Sequence, residues 1–343
     1  MRLLSKAVRA VRRARDRLRS SALILLYHRV ADLPVDPQLL CVSPGHFREH
    51  LAILRQNFHT LSLAELASAV IQRRIPNRAV VVTFDDGYAD NLENAKPLLT
   101  EYRIPATVFV ASGWVDQNRP FWWDELALVL LETPELPNEL LLTVAGEKKC
   151  WRLGDSAHYG NEQLCSYWRW NVQDRDCPTP RHETYRQLCA MLRVLPAVQR
   201  EDALAQVRRW PRSAAAACVP TAMTSQQLMQ LVEGGLVDVG GHTVTHPVLS
   251  KLGVEEQRQE IESGKAVLER VLARPVSSFS YPFGTQADYT VQTAQLVQAS
   301  GFACACSNFA GLVGRASNPF ELPRLLVRNW DGRAFQEHLR RWL

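Results

Sequence analysis

Short apolar runs alternate with longer amphipathic segments along most of the 343-residue chain, and this alternation limits the folds that it can adopt. The apolar runs of strand length are residues 22–30, 79–84, 105–111, 236–243, 277–284, 302–307 and 322–330. The helical patterns cover residues 43–57, 62–73, 94–102, 253–272 and 289–300. Ser43 and Ser62 are placed to cap the first two helices. Strand–helix alternation of this kind predicts an α/β protein with a parallel sheet or a (β/α) barrel.

Residues 115–222 interrupt the alternation. They contain a polar segment rich in tryptophan and cysteine and a short alanine run at 214–217. We predict that they form a mostly helical insertion on one loop of the barrel rather than an independent domain. The predicted organisation is therefore a short basic segment, residues 1–20, followed by one domain, residues 21–343, that contains the insertion.

The formal net charge of +5 is concentrated at the start of the chain. Residues 1–19 contain eight Lys or Arg and one acidic residue, a net +7, which leaves −2 for the rest. Apolar Leu4, Val8, Val11 and Leu18 fall roughly on one helical face. This basic amphipathic helix indicates either peripheral contact with an anionic membrane or a solvated helix packed loosely on its own domain. No basic patch with aromatic residues continues beyond it, so nucleic acid is not an expected partner.

The apolar runs are too short for a membrane span, which needs roughly 18 residues or more, and no small-residue cleavage site follows the run at 22–27. The sequence therefore predicts a cytoplasmic protein, and the basic segment leaves open a peripheral position at the inner face of the cytoplasmic membrane. Eight cysteines without a CxxC pair do not form a disulfide scaffold in a chain of this length. Cys304 and Cys306 alternate on a predicted strand, and we expect them to be buried thiols.

Polar residues stand at the ends of three predicted strands. Asp85 and Asp86 follow the strand at 79–84, His242 ends the run that begins at 236, and a Tyr-Pro-Phe-Gly sequence at 281–284 follows the run "VSSFS". In parallel α/β folds the carboxyl ends of the strands gather at one rim, which carries the functional residues. Adjacent carboxylates on an extended backbone point in different directions, so one can bind a metal while the other faces the remaining space.

His242 and His246 have a four-residue spacing that can direct both imidazoles to one ion. Taken alone, such a pair is more often two surface histidines, and an Asp-Asp-Gly sequence is more often a turn. Together they form a set of two histidines and one carboxylate, which leaves coordination positions open for water and substrate. The second carboxylate is then placed to take a proton from that water.

These motifs resemble those of the polysaccharide deacetylases, the family with the NodB homology domain that is also called carbohydrate esterase family four. The resemblance rests on "TFDDGYADN" at 83–91 and "GGHTVTHP" at 240–247. The supporting sequences are "LLYHRV", "IPATVFV", "FWWDEL", "SYPFG" and "LPRLLV", in the order seen in bacterial members from surface-polysaccharide loci. The resemblance implies a distorted (β/α) barrel of the NodB type and a divalent metal ion, commonly Zn²⁺.

The resemblance also implies roles for individual residues. Asp85 is similar to the general base of the family, and Asp86, His242 and His246 are similar to its metal ligands. The backbone N–H of Phe283 is similar to the donor that holds the oxyanion. The implied reaction is hydrolysis of the N-acetyl group of an amino sugar, which releases acetate and a free amine.

The sequence departs from the family pattern in two places. Ser280 stands where many members have an arginine that orients the base. Arg324 is the candidate to replace that arginine by pairing with Asp85, unless it is an ordinary structural arginine. For the late histidine that protonates the leaving amine, the chain offers only His338, whose helical context argues against catalysis. His28, at the end of the first strand, is the better candidate for a general acid or a site contact, with a structural histidine as the alternative.

Aromatic residues near the motifs are the candidates for contact with a sugar, because aromatic faces suit pyranose rings. The candidates for substrate binding are Tyr88, Tyr281 and Trp330, and Trp122 is left open. For Trp123 we expect packing rather than sugar binding. Asp90 is expected to cap the next helix rather than to contact substrate.

The leading functional hypothesis is a metal-dependent hydrolase that removes N-acetyl groups from amino sugars of a cell-surface polysaccharide or its lipid-linked precursor. One alternative is a deformylase or O-acetyl esterase on the same scaffold. Another is a non-catalytic saccharide-binding protein on a decayed enzyme fold. The retained Asp85 argues against the last alternative, because a site without catalysis has no need of a carboxylate beside the metal ligands.

Overall fold

The computed structural model describes residues 21–211 and 221–342. Its strands are β1 Ala22–Tyr27, β2 Arg29–Val30, β3 Cys41–Val42, β4 His59–Thr60, β5 Ala79–Phe84, β6 Ala106–Val110, β7 Glu139–Val144, β8 Glu147–Arg152, β9 Val237–Gly241, β10 Ser278–Ser280, β11 Cys304–Cys306 and β12 Leu325–Leu326. Its α-helices are α1 Pro44–Asn57, α2 Leu63–Ile71, α3 Lys96–Tyr102, α4 Trp122–Ala127, α5 Asn161–Tyr167, α6 Pro180–Arg193, α7 Ala197–Arg208, α8 Ser225–Val232, α9 Val254–Leu272, α10 Val291–Ala299 and α11 Gly332–Arg340. Five-residue π-helical segments, Asn91–Ala95 and Leu128–Glu132, adjoin α3 and α4.

Eight strands form one parallel sheet in the order β11–β10–β9–β6–β5–β1–β12, with β4 paired to β5 off this path. Strand β1 pairs with β5 along its whole length, from Ala22 opposite Ala79 to Tyr27 opposite Phe84. A parallel bridge between Cys306 and Leu322 links β11, at one end of the sheet order, to the segment that leads into β12 at the other end. The sheet is therefore curved towards closure, and the predicted distorted (β/α) barrel is confirmed.

Strands β1, β5 and β6 are buried on both faces, which explains their continuous apolar sequences. Leu23, Leu25 and Tyr27 of β1 belong to a large core cluster that also includes α1 and α10 residues. Ala22 and Ile24, on the other face of β1, belong to a second cluster with the apolar residues of α2. The predicted buried thiols are confirmed, because Cys304 and Cys306 are free cysteines in this second cluster.

Local signals in the sequence define the first two helices. The Ser43 hydroxyl accepts a hydrogen bond from the His46 N–H at 3.1 Å, and Pro44 occupies the first helical position of α1. Ser62 and Glu65 form a reciprocal capping box at the start of α2. Both predicted caps are confirmed, because each side chain satisfies a backbone N–H group that has no partner within the helix.

The first predicted strand is shorter than the apolar run that suggested it. It ends at Tyr27, and Arg29–Val30 instead pairs with Cys41–Val42 in a separate two-stranded sheet. The chain therefore turns away from the barrel at His28. This turn lies beside Asp85, because the Asp85 N–H donates to the carbonyl of Tyr27, the preceding residue, at 3.0 Å. Hydropathy does not detect this break because residues on both sides of His28 are buried.

The chain divides into two compact units. Of the described residues, the first contains 21–31, Cys41–Val115 and 223–342, and it includes the whole eight-stranded sheet. The second contains Asp32–Leu40 and Asp116–Ala222, and it includes helices α4 to α7.

The second unit also contains a β-hairpin that the sequence analysis did not predict. In β7 the buried residues Leu140, Leu142 and Val144 alternate with exposed ones, which is the period of a half-buried strand. The Gln206 side chain accepts from the Thr143 N–H at 2.8 Å and donates to the Thr143 carbonyl at 3.0 Å. This amide occupies backbone groups of β7 that do not pair with β8, and it therefore protects the edge of the hairpin.

The predicted basic helix at residues 1–20 and its predicted membrane contact lie outside the described residues. Within the described part of the chain, no helix combines the length and the apolar character needed to cross a bilayer.

Candidate metal and catalytic site

Four titratable side chains meet at the carboxyl ends of β5 and β9. Asp85 and Asp86 follow the last residue of β5, and His242 follows the last residue of β9, where its N–H donates to the Val110 carbonyl at 3.1 Å. Asp85, Asp86, His242 and His246 are each at most 4% exposed. Buried ionisable groups need partners or a bound ion, so their convergence identifies the candidate site.

Asp86, His242 and His246 are arranged as ligands of one cation. Their ligand atoms all lie within 4.8 Å of one another. Asp86 Oδ1 lies 3.6 Å from His242 Nε2 and 3.4 Å from His246 Nε2. Donor atoms around a tetrahedral Zn²⁺ with bonds of about 2.0–2.2 Å stand about 3.3–3.6 Å apart, whereas hydrogen-bonded atoms are closer. The three side chains therefore fit a divalent metal, as the sequence predicts.

The backbone around the site orients these ligands. The carbonyl of Ser280, the last residue of β10, accepts a hydrogen bond from His242 Nδ1 at 2.7 Å. Because Nδ1 then carries the proton, Nε2 presents its lone pair on the side of Asp86. Asp86 itself has a φ of 74°, in the left-handed region that Asp and Asn tolerate better than most residues. Because of this turn, the Asp86 side chain points to the two histidines, whereas Asp85 is not part of the ligand set.

Asp85 is held by Arg324, the residue immediately before β12. The two terminal nitrogens of the Arg324 guanidinium, Nη1 and Nη2, donate to Asp85 Oδ1 and Oδ2 at 2.8 and 2.7 Å. The remaining three N–H groups of Arg324 donate to hydroxyl or carbonyl oxygens of Ser280, Thr83 and Ser307. All five guanidinium donors thus have acceptors, and the Ser280 hydroxyl also donates to Asp85 at 3.2 Å. This network leaves the Asp85 carboxylate little freedom to turn.

Neighbouring charges shift the pKa of Asp85 and the pKa of His242. Burial raises the pKa of Asp85, but Arg324 and His242 oppose this effect and hold the pKa below its ordinary value. Asp85 is therefore ionised at neutral pH and able to accept a proton. Burial lowers the pKa of His242, but Asp85 and Asp86 raise it, and the result lies above the ordinary value. A proton on this imidazole has to leave before Nε2 can bind a cation.

Replacing Arg324 with methionine is expected to move the acid limb of the kcat/KM profile to higher pH and to lower kcat by about 10- to 100-fold. The reason is that burial would then raise the pKa of Asp85 without the opposing charge of Arg324. Arg324→Lys should restore part of the pH profile but not kcat, because an ammonium group lacks the planar fork that contacts both oxygens. The matched control is Arg333→Lys, whose side chain is 88% exposed. An unchanged pH profile in Arg324→Met would contradict this role.

His28 and Phe283 lie at the same rim, as the sequence predicts. Burial lowers the pKa of His28 by more than Asp86 and Asp85 raise it, so the imidazole is neutral at neutral pH. The His28 carbonyl accepts from the Asn91 side chain at 2.9 Å. The Phe283 ring packs edge-on against His246, with 4.7 Å between the ring centres. Their roles as proton donor and oxyanion donor stay predictions.

Two residues near the Asp-Asp-Gly motif are structural. Asp90 does not cap the following helix, so that prediction is wrong. Its carboxylate instead accepts from the Arg29 side chain at 2.9 Å and from the Val30 N–H at 3.0 Å. The Arg29 guanidinium also lies over the ring of Tyr88, 4.4 Å from its centre. Because Tyr88 is fully buried, the structure does not support the predicted contact of its side chain with substrate.

The remaining aromatic candidates also pack against other rings. Tyr281 is 1% exposed, stacks on Tyr289 and donates its hydroxyl proton to the Phe320 carbonyl at 2.8 Å. Trp330 stacks on His338 with 3.9 Å between the ring centres. The burial of Tyr281 therefore gives no support to its contact with substrate, whereas the contact of the partly buried Trp330 stays a prediction. His338 is engaged in packing, as its helical context indicates.

Trp122 and Trp123 belong to the second unit, where both are buried. Their rings meet edge-on, and the Trp123 ring stacks on Phe121 with 5.0 Å between the centres. The packing role expected for Trp123 is confirmed, and Trp122 packs in the same way.

Two hydroxyl residues of the site were missed by sequence reasoning. Ser280 was noticed only as the absence of an arginine, although its hydroxyl contacts both Asp85 and Arg324. Thr83 accepts from Arg324 at 3.3 Å and donates to the Leu25 carbonyl at 2.8 Å. A polar residue inside an apolar strand was the available signal for Thr83, because a buried hydroxyl needs hydrogen-bond partners.

Two proteins of known structure share this fold. The deacetylase PplD of Streptococcus pyogenes, solved in complex with acetate, superposes with a TM-score of 0.57 over 92% of this chain and 97% of its own, at 17% identity. IcaB from Ammonifex degensii superposes with a TM-score of 0.58 over 94% of this chain and 97% of its own, at 18% identity. At such low identity these similarities establish the fold alone.

Sequence similarity to curated proteins covers between a quarter and a third of this chain. A poly-β-1,6-N-acetyl-D-glucosamine N-deacetylase of Escherichia coli (strain K12) is 34% identical over 92 residues, which are 26% of this chain and 14% of that protein. The protein of the same name from Staphylococcus aureus (strain MSSA476) is 30% identical over 112 residues, which are 29% of this chain and 39% of that protein. The chain thus matches well under half the length of either relative.

The profile of the polysaccharide deacetylase family matches residues 72–139 and 196–302, together just over half of the chain. The match includes Asp85, Asp86, His242 and His246 and ends before Arg324. With more than half of its length inside this match, the chain belongs to the polysaccharide deacetylase family.

Proposed function

We propose that this protein is a metal-dependent N-deacetylase that removes N-acetyl groups from amino sugars of a cell-surface polysaccharide or its lipid-linked precursor, and that the metal is Zn²⁺. One observation carries the proposal. Asp86, His242 and His246 converge with the spacing of metal ligands, and Asp85, held by Arg324, is the residue before Asp86. The names of the relatives from Escherichia coli and Staphylococcus aureus favour a glycan that contains N-acetylglucosamine.

A divalent cation held by Asp86, His242 and His246 would supply a Lewis acid that polarises an amide carbonyl and lowers the pKa of water. Zn²⁺ suits two imidazoles and one carboxylate. The contribution of the chain is to keep the three ligands buried and both Nε2 atoms directed towards Asp86.

Asp85 serves as the general base in this proposal. Its carboxylate is ionised, and Arg324 and Ser280 fix its direction. As water adds to the amide carbonyl carbon, Asp85 accepts a proton from that water. The carbon–nitrogen bond then breaks, the sugar nitrogen gains a proton, and the products are acetate and a free amine. His28, at the same rim, is the residue assigned to pass a proton to the nitrogen, because a neutral imidazole can accept a proton at one ring nitrogen and release one from the other.

Acetate release from N-acetylated saccharides is the direct test. Purified protein is incubated with β-1,6- and β-1,4-linked N-acetylglucosamine oligomers, before and after chelator treatment, and after Zn²⁺ is restored. We expect acetate release that chelation abolishes and Zn²⁺ recovers. Parallel N-formyl and O-acetyl saccharides test the alternative acyl group and the alternative linkage. Release that survives complete removal of metal would overturn the metal-dependent mechanism, and turnover of only the formyl or ester substrates would overturn the N-acetyl specificity.

A further inference from the structure

The loop that carries both histidine ligands is strained. We define the ligand loop as residues 242–246, which follow β9 and have no regular secondary structure. Thr243 has a φ of 65° and His246 a φ of 52°, a region that residues with side chains rarely adopt. Such conformations persist only where neighbouring groups hold them in place. The contacts of the ligand loop therefore decide whether its two imidazoles converge.

Glu260, on helix α9, binds the middle of the ligand loop. One carboxylate oxygen accepts hydrogen bonds from the N–H groups of Val244 and Thr245, both at 2.8 Å. The other oxygen accepts from the Thr245 hydroxyl at 2.7 Å. Two successive N–H groups that point at one anion form a compact anion-binding turn, and hydrogen bonds to a carboxylate are stronger than neutral ones. The carboxylate thus fixes the backbone between the two ligands.

Two glycines, Gly264 and Gly113, lie in close contact with the backbone of the ligand loop. Gly264, one turn after Glu260 on α9, brings the helix so near that an added Cβ would lie 2.9 Å from the Thr243 carbonyl carbon. On the other side, Gly113 donates its N–H to the Val244 carbonyl at 2.9 Å, and a Cβ there would lie 2.6 Å from that oxygen. The ligand loop is therefore confined between α9 and the turn that follows β6.

We propose that Glu260 is a positioning residue for the metal site, which sets the separation and direction of His242 and His246 by fixing the backbone between them. This inference rests on the proposed function, because it concerns the same metal. Glu260 acts on the imidazoles indirectly, through the N–H groups of Val244 and Thr245. Its action therefore differs from that of Asp86, whose oxygen belongs to the ligand set.

The affinity for Zn²⁺ tests this role without reference to activity. Zn²⁺ binding is measured by competition with a chromophoric chelator in the full chain. Glu260→Ala removes all three hydrogen bonds and is expected to weaken Zn²⁺ binding by about 10- to 100-fold, as for other residues that orient metal ligands. In Glu260→Gln the amide oxygen can still accept from both N–H groups, so it should lose less than about 10-fold.

The matched control is Glu262→Ala, which removes the same charge from the same helix. The Glu262 side chain is 49% exposed and contacts Arg258 and Ser300 rather than the ligand loop. We expect its Zn²⁺ affinity to equal that of the unsubstituted protein. An equal loss in Glu262→Ala and Glu260→Ala would overturn the proposal, because it would show a general effect of charge.

Gly264→Ala tests the same geometry from a second direction. The added Cβ would press on the Thr243 backbone, so Zn²⁺ binding should weaken even though alanine favours the helix. This variant and Glu260→Gln keep the test decisive if Glu260→Ala does not fold, as judged by thermal unfolding of the metal-free protein. Unchanged Zn²⁺ affinity in the folded Glu260 variants would overturn the positioning role and leave the proposed function standing. Failure of the unsubstituted protein to bind Zn²⁺ would overturn both.

Discussion

Replacing Asp85 with asparagine is expected to lower the rate of deacetylation by about 10²- to 10⁴-fold while the protein keeps its metal. Asp85 is the ionised carboxylate beside the ligand set but is not part of it. Asparagine has nearly the same shape and cannot accept a proton at neutral pH. The measurement is kcat on an N-acetylated oligomer, together with the metal content of the same preparation.

The same substitution carries a cost in stability that has to be measured separately. Asp85 and Arg324 form a buried pair, and removal of one partner from such a pair costs about 3–5 kcal/mol of the free energy of unfolding. The amide NH₂ of asparagine would also face the donors of Arg324. Thermal unfolding identifies the temperature at which the variant is fully folded, and kcat is compared there. A folded variant that retains metal and more than about a tenth of the rate would contradict the role of general base.

Replacing the neighbouring Asp86 with asparagine is expected to abolish both metal binding and activity. Asp86 supplies the charged ligand, and its oxygen lies 3.4 Å from His246 Nε2. Asparagine tolerates the left-handed conformation of this residue, where φ is 74°, so the backbone should stay in place. The loss of affinity should exceed the about 10- to 100-fold change expected for residues that only orient ligands. Competition with a chelator and elemental analysis measure it.

The two substitutions form a matched pair, because the same change is made at adjacent positions. The roles assigned here require that Asp85→Asn keeps metal and that Asp86→Asn loses it. High concentrations of Zn²⁺ should restore activity in part to Asp86→Asn and not at all to Asp85→Asn. The opposite pattern of metal retention would exchange the two roles, and equal retention in both would exclude Asp86 as a ligand.

The sequence predicted well those features that depend on neighbouring residues. The capping side chains Ser43 and Ser62 precede their helices, and the apolar run before Asp85 is a buried strand. The convergence of Asp86 with His242 and His246 followed from one general rule, because the carboxyl ends of parallel strands share a rim. The resemblance to a family supplied the expected roles, and the family itself is confirmed.

The sequence predicted poorly those features that depend on contacts between distant segments. The partner of Asp85 is Arg324, separated from it by 239 residues, and the sequence offered it only as one alternative. Glu260 lies within a long polar helix, where no local pattern distinguishes it from the other glutamates. Asp90 was expected to cap a helix because that is its commonest local use, whereas in the fold a buried Arg29 binds its carboxylate.

Local sequence was therefore sufficient for most strands and helices of the barrel and for the motifs that indicate the family, because each depends on periodicity or on residues a few positions apart. The environment of the base and the shape of the ligand loop depend on the pairing of β1 with β12 and on the packing of α9 against residues 243–245. Those contacts form only when the barrel closes, since a buried arginine or glutamate is stable only where several distant acceptors or donors meet it.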